Sequence, residues 1–145
     1  MGPGNFCKIS CGIILTSHHI VITDSQEIEI AIDSDRIEQV ITNLISNAVK
    51  YSPDSDLIEV STKNTNEMLI TAIKDYGLGI DIGNQHKVFE KFFQIDELQK
   101  TDKSGFGMGL YICSEIIKQH HGSIWVESTE GKGTTFYFAL PLNGY

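Results

Sequence analysis

Apolar positions in this chain switch between two periods, and the switches mark out its elements. Ile37, Val40, Ile41, Leu44, Ile45 and Ala48 recur at helical spacing. They predict an amphipathic helix over residues 35–51. Asp33-Ser34-Asp35 offers capping residues before it, with Glu38 three positions after Asp35 as in a capping box. Tyr51-Ser52-Pro53 supplies its stop, because proline disfavours a helical residue before it. Leu110, Cys113, Ile116 and Ile117 predict a second helix over Leu110–His120, closed by His121-Gly122.

Elsewhere the period is two. Glu27–Asp33 alternates polar and apolar, as does Leu57–Lys63 through Ile58, Val60 and Thr62. Met68–Asp75 repeats the pattern after the turn Asn64-Thr65-Asn66, so these two segments read as a hairpin. Ser123–Thr129 and Thr134–Leu142 are two further strands, and residues 5–23 hold one or two more. A short helical piece is expected at Gln85–Phe93. Residues 94–104 lack an apolar period and read as a mobile loop. The economical packing is an α/β (α+β) two-layer sandwich, a mixed and mostly antiparallel sheet with helices on one face.

Composition narrows the class. The 145 residues suit one domain, with 41% hydrophobic and 21% charged residues. No apolar run approaches the roughly 20 residues that span a bilayer, and Met1-Gly2-Pro3-Gly4 reads as an expression scar before a domain at 5–145. Eleven basic against 19 acidic residues give a net charge of −8, and the single arginine is Arg36. A basic stripe for nucleic acid is missing. Three cysteines, Cys7, Cys11 and Cys113, fit a reducing cytoplasm and lack zinc spacing.

Three polar clusters carry candidate chemistry. On the first helix Asn43, Asn47 and Lys50 follow the apolar stripe along one side. An amide oxygen is a hard ligand suited to Mg²⁺, and a lysine is a point charge suited to phosphate. Asp75-Tyr76-Gly77-Leu78-Gly79-Ile80 leaves a strand directly, placing a carboxylate beside glycines that let a ligand approach the backbone. An ordinary loop turn would look similar. Ser104-Gly105-Phe106-Gly107-Met108-Gly109-Leu110 opens the second helix, whose exposed N–H groups would suit phosphates. Val88-Phe89-Glu90-Lys91-Phe92-Phe93 is an aromatic cluster that core packing alone could explain.

The order Asn-Leu-Ile-x-Asn-Ala-x-Lys-Tyr-Ser-Pro, Asp-x-Gly-x-Gly-Ile, Val-Phe-Glu-Lys-Phe-Phe and Gly-x-Gly-x-Gly-Leu resembles the N, G1, F and G2 boxes of the sensor histidine kinase ATP-binding domain. The likeness runs from about His18 to Leu142. It implies the Bergerat fold shared with gyrase B, the Hsp90 chaperones and MutL, and ATP with Mg²⁺ as cofactors. By that resemblance Asn47 would ligate Mg²⁺, Lys50 would contact phosphate, and Asn43 would help to position them. Asp75 would bind the adenine amine, Thr134 would assist through water, and Tyr51 would lie against the base. Gly77, Gly79, Ile80, Phe89, Gly105, Gly107, Met108, Gly109 and Leu110 would shape the pocket, Lys91 would stand for the family's phosphate-side arginine, and 94–104 would be the ATP lid.

The implied activity is transfer of the γ-phosphate to a histidine. None of the five histidines, His18, His19, His86, His120 and His121, has the context of a phosphoacceptor. The acceptor is therefore expected on a dimerisation segment outside this chain, with a response regulator downstream. The domain is expected in the cytoplasm without inserting into membrane, whether or not its parent is anchored. Two alternatives are a Bergerat-fold ATP hydrolase and a degenerate nucleotide-binding module. Hydrolysing relatives carry a glutamate four residues before the Mg²⁺-binding asparagine, and here that place holds Asn43. An amide cannot take a proton from water.

Overall fold

A computed structural model describes residues 5–6, 19–23, 30–65, 67–91, 93 and 108–142. Its elements run β1 (Asn5–Phe6), β2 (His19–Thr23), β3 (Ala31–Ile32), α1 (Ser34–Tyr51), β4 (Leu57–Asn64), β5 (Met68–Asp75), α2 (Ile82–Gln85), α3 (Gly109–Gln119), β6 (Ser123–Thr129) and β7 (Gly133–Pro141). Five strands form one sheet in the order β2-β4-β5-β7-β6. The β2–β4 pair is parallel and the other three pairs are antiparallel, while β1 and β3 form a separate antiparallel pair.

Alternation decides which face is covered. Ile58 and Val60 of β4, Ile73 of β5, and Phe136 and Phe138 of β7 are buried on one side. Ile37, Val40, Leu44, Ile45 and Ala48 of α1 and Cys113, Ile116 and Ile117 of α3 meet them there. Helix α1 packs on β4 and β5, α3 on β6 and β7, and the two helices on each other. The opposite face carries Glu59, Ser61, Lys63, Lys74, Thr135 and Tyr137, with Trp125 stacked on Tyr137 at 5.3 Å. The expected sandwich is therefore present, with the described helices α1 and α3 on one face.

Two local expectations need correction. The cap of α1 is Asp33, whose carboxylate accepts from Arg36 N at 3.3 Å. Asp35 already lies inside the helix, so Asp35 and Glu38 do not form the expected capping box. The helical piece expected at Gln85–Phe93 sits earlier, at Ile82–Gln85. Beyond it the chain continues as successive turns, with Lys87 N donating to Asn84 O at 3.0 Å and Glu90 N to Lys87 O at 2.9 Å. Three-residue spacing brings Val88 inward without a continuous helix.

The far ends of α1 and α3 are tied by a buried histidine. His120 caps α3, its Nδ1 lies 2.8 Å from Ile116 O, and its Nε2 accepts from Asp33 N at 3.1 Å. That pattern fits the neutral imidazole protonated on Nδ1. Arg36 reaches across the same junction to Gln119 at 3.1 Å. These bonds fix where α3 points and therefore where its other end stands.

Candidate functional site

Four segments converge at the other ends of the two helices. The first is the polar side of α1. Asn47 donates through Nδ2 to Asn43 O at 2.9 Å, and Asn43 donates to Gly109 O at 3.5 Å across the helix pair. A Cβ on Gly109 would stand 4.0 Å from Asn47 Nδ2. The N-terminus of α3 thus lies against the two asparagines. Asn43 also hydrogen-bonds the Cys113 thiol, but burial dominates and pushes that thiol up from 9.0 to about 11. Lys50 Nζ lies 5.7 Å from the Tyr51 ring centre, and Tyr51 itself is buried.

The second segment is the end of β5. Asp75 is fully buried, and its Oδ1 accepts from Gly77 N at 3.0 Å and from Thr134 N at 3.3 Å. Two backbone donors hold the carboxylate rigidly. The chain then passes so close to α1 that a Cβ on Gly77 would collide with Tyr51 O and approach Ser52 Cα to 2.6 Å. Leu78 N donates to Tyr51 O at 3.0 Å, closing the loop onto the helix end. Gly79 has φ +75° and faces Thr129 O, so both requirements exclude a side chain there.

The third segment is the β6–β7 hairpin. Thr134 pairs with Asp75 in the sheet and is 2% exposed. Its Oγ1 lies 2.9 Å from Ser128 Oγ, which also accepts from Ile80 N at 2.7 Å. Sequence reasoning missed Ser128. A serine in an alternating strand gives no sign of its partner until the register is known. Gln85 was missed likewise, and its Nε2 donates at 2.9 Å to both Ile80 O and Ser128 O.

The fourth segment is the aromatic cluster. Phe89 meets Phe136 edge to face at 6.1 Å, part of the core. Lys91 Nζ lies 5.8 Å from the Tyr111 ring centre. Tyr111 belongs to the first turn of α3, and a hydrogen bond to Glu115 raises its phenol. Lys91 is therefore held near the same helix N-terminus.

The structure brings together Asn43, Asn47, Lys50, Tyr51, Asp75, Gly77, Gly79, Gly109 and Thr134. Ile80 and Leu110 lie in the hydrophobic core beneath them, and Met108 caps α3. Gly105, Gly107 and the 94–104 segment lie outside the described residues. Among the described residues no cluster of three His, Cys, Asp or Glu side chains could hold a metal alone. A cation here would need ligands from a phosphate, which suits Mg²⁺, an ion held by few protein oxygens. Asn47 could meet that demand, since its nitrogen donates to Asn43 O and its side-chain oxygen is an acceptor.

Comparison with known proteins agrees with this geometry. Residues 32–144 match the family described as histidine kinase-, DNA gyrase B- and HSP90-like ATPases. The chain is 40% identical over 118 residues to sensor histidine kinase WalK of Bacillus subtilis, covering 80% of the chain and 19% of WalK. It is 44% identical over 109 residues to sensor protein SrrB of Staphylococcus aureus, covering 75% of the chain and 19% of SrrB. The chain thus spans about a fifth of the length of these curated relatives. Among solved structures, the catalytic domain of histidine kinase ThkA superposes with a TM-score of 0.72 at 29% identity, covering 86% of this chain and 79% of that one. Full-length ShkA in complex with AMPPNP gives 0.72 at 25% identity, over 87% of this chain and 26% of that one. A buried carboxylate at a strand end, asparagines against a helix N-terminus and a match over most of the sequence make one conclusion: the chain belongs to the histidine kinase-, DNA gyrase B- and HSP90-like ATPase family, whose fold implies ATP binding.

Proposed function

We propose that this chain is the catalytic domain of a sensor histidine kinase, binding Mg-ATP and passing the γ-phosphoryl group to a histidine on a dimerisation segment. The observation that carries the adenine end is Asp75, a buried acceptor fixed by Gly77 N and Thr134 N. Its carboxylate would take the exocyclic amine of adenine, with Thr134 beside it and Tyr51 near the base. Lys50 and the α3 N-terminus would hold phosphates, joined by Lys91. Asn47 would hold Mg²⁺, which supplies charge neutralisation to the phosphates when bound.

In the transfer, the bond from the γ-phosphorus to its bridging oxygen breaks and ADP leaves. A new bond forms to an imidazole nitrogen of the acceptor. Such transfer needs positioning and charge more than a protein base. Asn43 supports this reading over hydrolysis, because its amide is turned to Gly109 O and the Cys113 thiol and cannot activate water. A domain using ATP in this way would work on the cytoplasmic side, and a response regulator would receive the phosphate next.

The test is to mix the chain with a histidine-bearing dimerisation segment and labelled ATP. Acid-labile, base-stable phosphohistidine on the segment is expected. Rapid phosphate release without any acceptor would favour the hydrolase reading, and failure to bind Mg-ATP by calorimetry would favour a degenerate module.

A further inference from the structure

We infer that Ser128 sets the base preference of this site by fixing the direction of the Thr134 hydroxyl, an inference that rests on the adenine reading of Asp75 and Thr134. Ser128 Oγ lies 2.7 Å from Ile80 N, 2.8 Å from Gly133 O and 2.9 Å from Thr134 Oγ1. The Ile80 N–H can only donate, and the Gly133 carbonyl can only accept. Two oxygens 2.8 Å apart need a hydrogen between them, and the carbonyl brings none. The single Ser128 proton therefore goes to Gly133 O. Thr134 must then give its own proton to Ser128, which now donates once and accepts twice.

Two consequences follow for the base. Thr134 keeps only lone pairs for anything else it meets, and the Asp75 carboxylate also offers lone pairs. Asp75 is fully buried and Thr134 nearly so, so this polarity is screened little by solvent. Where position 6 of the base meets this wall, a 6-amino donor suits it, whereas a 6-oxo group would face acceptors with an acceptor. Ser128 itself need touch no ligand and acts as a positioning residue. Its backbone is held by Gln85 Nε2, which binds Ser128 O and Ile80 O together.

The experiment is calorimetry of the 145-residue chain with ATP and with inosine triphosphate, both with Mg²⁺. The wild type is expected to prefer ATP. Ser128→Ala frees the Thr134 proton to turn toward the base, so the ATP-to-inosine-triphosphate affinity ratio should fall about tenfold, the worth of one hydrogen bond. Ser128→Thr should restore the ratio. Ser128→Cys keeps the volume but accepts poorly, and gives the same reading should Ser128→Ala not fold. In a Thr134→Val background Ser128→Ala should leave the ratio alone. Equal loss of both affinities, as from simple loosening of the loop, would overturn the inference. So would a shift in the ratio that persists without the Thr134 hydroxyl. A wild type that prefers ATP while Ser128→Ala leaves the ratio intact overturns the role of Ser128 alone. A wild type that binds neither nucleotide fails the adenine reading and this inference with it.

Discussion

Each residue of the site is defined by what its neighbours leave it able to do. Asp75 shows this most directly. Its Oδ1 is held by two backbone N–H groups, and an asparagine in its place could keep those bonds through its own oxygen. The other atom of the group, however, would become an NH₂ facing the base amine, donor against donor. Asp75→Asn should therefore leave the melting temperature near that of the wild type while lowering ATP affinity about 100-fold. Asn47→Asp should weaken productive nucleotide binding as well, by adding charge beside the phosphates. Calorimetry checks both, and wild-type affinity together with wild-type phosphotransfer in the two variants would refute the site. Asp75 was legible as a candidate because it ends an alternating strand before two glycines. Its partner in the sheet was not, since register depends on residues 59 positions away.

Helices and strands show the same division between local and distant causes. Helix α1 and the β4–β5 hairpin follow from periods of 3.6 and 2 that any window of the sequence reveals. The α2 region does not, because three-residue turns leave no such stripe. The end of α3 is instructive. The histidine and glycine at 121–122 announce a helix stop, yet the left-handed residue is His121, at φ 60°. His121 N donates to Lys118 O at 3.0 Å and Gly122 N to Ile117 O at 2.9 Å, a Schellman closure. Gly122 is needed for a different reason: a Cβ there would collide with Ala139 O. A non-glycine residue in the left-handed region costs roughly 1 kcal/mol. His121→Gly should accordingly raise the melting temperature by a few degrees in a thermal scan, with nucleotide affinity unchanged. A lower melting temperature would show that the His121 side chain contributes more than its backbone costs.

At the scale of the molecule, one core serves both the sheet and the site. Cys113 marks the overlap, being wholly buried between α1 and α3 with Asn43 beside it. Its thiol is raised to about 11 in the folded chain and returns to its ordinary value of 9.0 on unfolding. Below pH 9 both states hold the proton and the shift contributes nothing. Between pH 9 and 11 the unfolded state releases it and the folded state does not, so stability falls as pH rises, by up to about 2–3 kcal/mol. Urea unfolding at pH 8 and pH 10.5 should show this extra loss in the wild type and not in Cys113→Ala. An equal pH dependence in both would sink the argument. The sandwich was legible from the order of periods, but the parallel β2–β4 pair was not, because it is decided by a crossover through α1.

That Asp75 and Thr134 are neighbours only across the sheet has a consequence for the newborn protein. Asn47, Lys50 and Asp75 leave the ribosome well before Thr134, so the backbone N–H of Thr134 that helps to hold the Asp75 carboxylate arrives late. In the proposed site, capture of nucleotide would then be coupled to closure of β7 onto β5. A ligand that recognised only the finished sheet would hold the last strand in place by mass action.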